Sequence, residues 1–345
     1  MTSFISSFKP LLIALCIILA VEAASHLVPV PQRYNSDLLT LAPQQKERVT
    51  NIFLIEKMNT LANMPARFLQ FGDSSGFYGL KPEIVTQRVK GEWLNFGCCA
   101  RMGFGGYRTY AAEVLKHQRA AGGNPTFMVI NITPYYAATR EFEESELPEA
   151  LHLAYGQPWR YESWLAGWRL SFTNWLYLGK PVDEFLDQRT DKYWSGDFSN
   201  MRPELDRLNQ THGWMERPGP AKPITMDECV FPVDEERLEW YARRQPQLLL
   251  RRELNETANF AKTQGLTLVL LFNPVPCEAE RSDSAATLQR EIEAFKAEWP
   301  DVIVPVDFIR RYPPELFKDI WHLNVVGAER NSREIAEALV KAGVR

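Results

Sequence analysis

The run Phe127-Met128-Val129-Ile130-Asn131-Ile132 is apolar at almost every position. A strand with one wet face alternates apolar and polar residues, so a continuous run of this kind predicts a strand covered on both faces, the habit of a parallel sheet. The pattern recurs. Arg67 to Phe71 reads as the first core strand, Glu92 to Phe96 as the second, Leu266 to Phe272 and Val302 to Val306 as later ones. Helical patterns separate them: 82–89, with Pro82 suited to a first turn, and 109–120, stopped by Gly122-Gly123. Three more run over 238–263, 285–299 and 325–341. Strands alternating with helices imply an α/β protein with a mainly parallel sheet and helices on both faces.

The rhythm breaks between about 135 and 246, where aromatics and turn residues replace buried strands, predicting a helical and irregular insertion. Trp164, Trp168, Phe172 and Trp175 fall on one helical face there. That stripe fits a helix packed onto the domain, a sugar-stacking wall or a face for a membrane partner. Ahead of the domain, which starts near residue 66, lies a Pro-containing lead-in, 26–65, with a helical stretch over Gln44 to Leu61.

The first 25 residues read as a targeting segment. Lys9 precedes an apolar run from Leu11 to Val21, which ends in Glu22-Ala23-Ala24-Ser25. A cleaved signal peptide and a retained signal anchor both fit, and either places the rest of the chain outside the cytoplasm, in a periplasm or at a cell surface. A net charge of -4 with no basic stripe gives no electrostatic reason to expect nucleic acid. Setting Cys16 aside, Cys98, Cys99, Cys229 and Cys277 could form two bridges in an oxidising compartment or remain buried thiols. No cysteine pair has metal-ligand spacing, and no metal or cofactor is implied.

The chemistry concentrates at two places. Phe68-Leu69-Gln70-Phe71-Gly72-Asp73-Ser74-Ser75-Gly76 ends a strand in a tight turn that presents a serine, and Asp319-Ile320-Trp321-His322 forms a loop near the C-terminus. A serine hydroxyl becomes a useful nucleophile when a histidine takes its proton, and the histidine needs an oriented carboxylate. Of the five histidines, only His322 has an aspartate three residues before it. Ser74 directly follows the Gly-Asp turn and is preferred over Ser75 as nucleophile, with His322 as base and Asp319 as its acid. A plainer reading makes Ser74 a helix cap, with Asp73 at the helix N-terminus. Candidate oxyanion donors are the Ser74 N–H, Gly103 in the glycine-rich loop 103–106, and the side chain of Asn131 at the end of the third strand.

This order resembles the SGNH/GDSL hydrolases: Gly72-Asp73-Ser74, a glycine loop after strand two, an asparagine ending strand three, then Asp319-x-x-His322. The resemblance covers roughly 65–135 and 265–345. The family's Gly-x-Asn-Asp block appears here as Val129-Ile130-Asn131-Ile132, without its glycine or second acid. The resemblance implies a flavodoxin-like three-layer α/β/α sandwich and an esterase, lipase, thioesterase or O-acyltransferase acting without a metal. With the apolar leader and His322-Leu323-Asn324-x-x-Gly327, it extends to membrane-anchored proteins that acylate cell-surface polysaccharides beside a membrane-bound O-acyltransferase. Two rivals stand beside it. Gly72-x-Ser74-x-Gly76 also fits the nucleophile elbow of an α/β-hydrolase, although that nucleophile follows several strands rather than the first. A noncatalytic polysaccharide-binding or assembly protein could keep the same fold.

Overall fold

The computed structural model describes residues 53, 54, 56–98, 102–134, 202–217, 246–276 and 283–345, with isolated positions at 10, 12–17, 20, 221 and 224. The Trp164–Trp175 stripe, most of the leader and of 26–52, and Cys99, Cys229 and Cys277 lie outside them. Cys98 is a buried free thiol, so it belongs to neither bridge. Among the described residues no helix is long and apolar enough to cross a membrane. Those of the leader are helical, with Leu12, Ile13, Leu15 and Ile17 exposed.

Four strands form one parallel sheet: β1 (Phe68–Gly72), β2 (Trp93–Asn95), β3 (Phe127–Ile132) and β4 (Thr267–Phe272), in the order β2-β1-β3-β4. The strands are apolar throughout because each face meets a separate core. Leu69, Phe71, Met128, Ile130, Leu268 and Leu270 point into the larger one. Helices α3 (Gly103–Ala120), α5 (Pro246–Thr263) and α6 (Asp283–Glu298) close that side with residues such as Val114, Leu254 and Phe295. Phe68, Trp93, Val129, Val269 and Leu271 face the other core, shared with Val85 of α2 (Pro82–Val85) and with Ile335 and Leu339 of α7 (Val325–Lys341). This is the expected α/β arrangement, a parallel sheet between two layers of helices. A short helix, α1 (Ser74–Gly79), lies at the carboxyl end of β1.

Several local expectations need correction. The strand expected over 302–306 contracts to one parallel bridge, Ile303 with Val269. Ile303 makes both of its hydrogen bonds to β4, at 2.9 Å each, but Pro305 has no N–H with which to continue the ladder. The glycine-rich stretch 103–106 is the first turn of α3 rather than a loop. Glycine costs ~1 kcal/mol in a helix interior, and burial of Phe104, Tyr107 and Tyr110 in the core offsets it. The tight turn expected after the first strand leads directly into α1, and the loop expected at Asp319–His322 is a tight antiparallel hairpin of β5 (Phe317–Asp319) and β6 (His322–Leu323). Helix 82–89 shortens to α2 followed by turns, and of 238–263 the residues from 246 on are described as α5.

Part of the insertion is also in view. Helix α4 (Arg202–Gln210) buries Leu205 and Leu208, and the turn after it lies along the outer strand β2, where the His212 carbonyl accepts the Asn95 N–H at 2.9 Å. The turn therefore covers an edge that would otherwise present open backbone groups.

Gly72 ends β1 with φ +142, and a Cβ there would overlap the carbonyl oxygen of Asn131 on the neighbouring strand. Backbone conformation and backbone crowding both exclude a side chain. Gly72→Ala is expected to destabilise the protein by ~2 kcal/mol or more in urea unfolding; an unchanged midpoint would show that β1 and β3 can separate freely.

Candidate active site

Between β1 and β3 the sheet reverses its direction of growth, since β2 lies outside β1 while β4 lies outside β3. The chains leaving such a pair of strands part to opposite sides and open a crevice at their carboxyl ends. Asp73 spans it. Its Oδ1 accepts from Ser75 N–H (2.9 Å), Gly76 N–H (3.1 Å) and the Ser75 hydroxyl (2.5 Å), while Oδ2 accepts the Thr133 N–H at 3.0 Å. One carboxylate thus caps α1 and ties it to the end of β3. Burial pushes the Asp73 carboxyl up from its ordinary range, and these hydrogen bonds oppose the shift.

The other end of α1 is buried too, and its carbonyls need donors. Gln70 Nε2 donates to Gly76 O at 2.9 Å, while Asn95 Nδ2 lies within 3.2–3.4 Å of the Gly76, Phe77 and Leu80 oxygens. Trp214 Nε1 donates to Tyr78 O and Asn331 Nδ2 to Gly79 O, both at 2.8 Å. Gln70 lies within β1, Asn131 is the penultimate residue of β3, Asn95 ends β2 and Asn273 directly follows β4, and all four are buried. Asn273 Nδ2 joins Ser75 Oγ to Asn131 Oδ1 at 2.9 Å each, and its Oδ1 accepts from Asn331.

On this support sits Ser74, the first residue of α1. Its Oγ lies 2.8 Å from His322 Nε2, and His322 Nδ1 lies 2.8 Å from Asp319 Oδ1. The structure therefore brings together the serine, histidine and aspartate singled out from the sequence, the serine and histidine being 248 positions apart. The cap reading needs correction: a helix does start here, but its cap is Asp73, and Ser74 is left to face the histidine. Ser75 is committed to Asp73 and Asn273, which leaves Ser74 as the hydroxyl at the histidine. Asp319 is set by its hairpin: Oδ1 also accepts the Trp321 and His322 N–H groups at 2.9 and 3.0 Å. With Nδ1–H directed to Asp319, Nε2 is the acceptor that faces the serine. The Tyr78 ring stands edge-on to the imidazole at 5.4 Å.

Arg217, seven residues beyond the end of α4, lies against both Asp319 Oδ2 and His322 Nδ1. Because Nδ1 already donates to Oδ1, of these two groups it is the Asp319 carboxylate, not the imidazole, that accepts from this guanidinium. Burial and the Arg217 charge push His322 down to about 3, against a smaller opposing pull from Asp73.

Of the candidate oxyanion donors, the Ser74 N–H opens α1 and no hydrogen bond among the described residues takes it. Asn131 Nδ2 is buried without a partner among the described residues, although its Oδ1 is held by Asn273. Gly103 is buried at the start of α3 with φ +64, and no hydrogen bond among the described residues joins it to Ser74 or Asn131. Sequence reasoning missed Gln70, Asn95, Asn273, Asn331 and Arg217. Gln70, Asn95 and Asn273 did leave a signal, a lone Gln or Asn within or just after an apolar run. Arg217 left none. Among the described residues no group of His, Cys, Asp and Glu could hold a metal ion.

No protein family, characterised protein or solved structure matches the chain.

The depressed His322 has a consequence for stability. Its folded value of about 3 lies below the ordinary 6.5, so between the two the unfolded chain binds a proton that the folded chain does not. The contribution is fully present above about pH 6.5 and is lost as the pH falls towards 3, at no more than ~1.4 kcal/mol per pH unit. His322→Gln is expected to flatten this part of the stability–pH curve, read by urea unfolding between pH 7 and 4. Parallel curves for the two proteins would contradict a neutral buried imidazole.

Proposed function

We propose that the protein is a serine-dependent acyl-transfer enzyme, an acyl ester hydrolase or O-acyltransferase of SGNH/GDSL type. The observation that carries this reading is the unbroken line from Ser74 Oγ through His322 to Asp319, with 2.8 Å at each step. Ser74 Oγ attacks the acyl carbonyl carbon as its proton passes to His322 Nε2. The carbonyl π electrons move to oxygen, and the Ser74 N–H and Asn131 Nδ2 donate to that oxyanion. Collapse expels the alcohol, which takes the proton back from His322 and leaves an acyl-serine. Water or a sugar hydroxyl, deprotonated in turn by His322, then releases the acyl group. Asp319 holds the ring in the tautomer these transfers need.

The family resemblance in the order of motifs supports the SGNH/GDSL assignment, and the sheet order β2-β1-β3-β4 agrees with a flavodoxin-like sandwich. The apolar leader and the His322-Leu323-Asn324-x-x-Gly327 run extend the proposal to an extracytoplasmic setting. There, acylated polysaccharide is the substrate and a membrane-bound O-acyltransferase the neighbour.

Ser74 should label covalently with a fluorophosphonate, and both Ser74→Ala and His322→Ala should lower acyl-ester turnover at least about a thousandfold. Full activity in either variant sinks the proposal. Absent labelling with glycan binding unaffected by Ser74→Ala would make the protein a noncatalytic binder instead. Trapping the product separates hydrolysis, which gives free acid, from transfer, which gives an acylated saccharide.

Asn131→Ala is expected to lower kcat about 10²–10³-fold with little change in KM. A loss confined to KM would remove Asn131 from the oxyanion site.

A further inference from the structure

We propose that Arg217 is a positioning residue of this site, acting through Asp319 and His322: it holds the Asp319 carboxylate against the histidine and so keeps the ring turned towards Ser74 as a proton acceptor. The proposal rests on the acyl-transfer reading for its role in turnover, but not for its effect on the histidine.

The placement of Arg217 is determined from several directions. Leu205 and Leu208 bury α4, and Asn209 Nδ2 donates to Glu56 at 2.7 Å. The next turn is fixed to β2 through His212, and a Cβ at Gly213 would overlap the Asn95 carbonyl oxygen, so the two backbones are in close contact. Trp214 is then bound to the Tyr78 carbonyl of α1, and Glu216 pairs with Lys318 of β5 at 3.5 Å. A chain held at each of these points delivers its next side chain to one place, the free oxygen of Asp319. The side chains of Arg217 and Asp319 are only 16% and 14% exposed, so solvent screens the pair weakly.

The electrostatic consequence follows from which groups face the imidazole. Ser74 and Tyr78 of α1 are neutral, Asp73 lies beneath α1, Asp319 is on the adjoining hairpin strand, and Arg217 comes from the insertion. The Lys318–Glu216 pair beside them is balanced. Without Arg217, the charged groups facing the buried ring among the described residues would be two carboxylates, an arrangement that draws a proton onto it and removes the base. With Arg217 on Asp319, that carboxylate orients the ring while most of its charge is cancelled. Nε2 therefore stays open to the Ser74 proton in acidic surroundings.

The test follows His322 by NMR titration in the full chain, which needs no turnover, together with the pH dependence of kcat/KM or of fluorophosphonate labelling. In the unaltered protein His322 should titrate well below the ordinary imidazole range; titration near 6.5 overturns the proposal without any variant. Arg217→Gln should raise the His322 pKa by at least about one unit and shift the acid limb of the rate or labelling profile by the same amount. Arg217→Lys, which keeps the charge, should give a smaller shift. An unmoved titration in Arg217→Gln, or equal shifts from Gln and Lys, overturns it. If Ser74 neither labels nor turns over substrate while the His322 titration behaves as stated, the acyl-transfer reading fails and the role of Arg217 towards the histidine survives.

Discussion

A six-residue helix buried at both ends is the constraint from which the site follows. So short a helix consists almost entirely of terminal turns, and an unsatisfied buried N–H or C=O costs ~1–3 kcal/mol. The protein supplies a side chain for each end. Asp73 serves the amides, while Gln70, Asn95, Trp214 and Asn331 serve the carbonyls from Gly76 to Leu80. These donors come from the sheet, the insertion and the C-terminal helix, so all three must be in place before α1 can be buried. Once they are, Ser74 has little freedom to move. Lys57 adds a further contact, with its amine over the Phe77 ring at 3.8 Å and donating to Gly97 O at 2.6 Å.

The insertion is accordingly part of the site. Residues 202–217 cover the open edge of β2, cap α1 through Trp214 and bring Arg217 to Asp319. An appended domain would leave the triad intact if removed. Here, removal would expose the edge of the sheet, orphan the Tyr78 carbonyl and strip a buried carboxylate of its cation. Breaking a buried ion pair costs ~3–5 kcal/mol, because the remaining charge has no solvent to return to. Stability and chemistry are coupled through the same few residues.

The parts of this design that could be read from sequence are those in which neighbours along the chain are also neighbours in space. Apolar runs give the strands, Gly72-Asp73-Ser74 gives the strand-to-helix turn, and Asp319-x-x-His322 gives a pair whose members meet across one hairpin. Chemistry then joins the two clusters, because a serine needs a base. The rest was not legible for definite reasons. Gly103 to Gly106 read as a loop because glycine is a poor helix former, yet burial decides a helix inside a core. The last strand failed at Pro305, which cannot donate to a ladder. Arg217 meets His322 across 105 residues, with no local pattern to mark it among the other arginines. These buried carboxamides could be seen but not interpreted. A buried amide means little until the short helix it caps is known.

Asp73 and Asp319 show how environment separates two residues of the same type. Asp73 is fully enclosed, and its acceptor capacity is used by two backbone amides of α1, the Ser75 hydroxyl and the amide of Thr133. No hydrogen bond among the described residues joins it to His322, and it serves as a strut. Asp319 spends one oxygen on its own hairpin and on the imidazole, while the other meets a guanidinium. It is held just as firmly, but one of its hydrogen bonds runs to the imidazole that, in the proposed reaction, accepts and returns a proton. The carboxylate adjoining the serine in sequence therefore builds the platform, while the one near the far end of the chain orients the proposed base. Exchanging these roles would require the histidine to reach Asp73 where Thr133 and Ser75 already occupy it, with Asn273 bonded to Ser75 beside them.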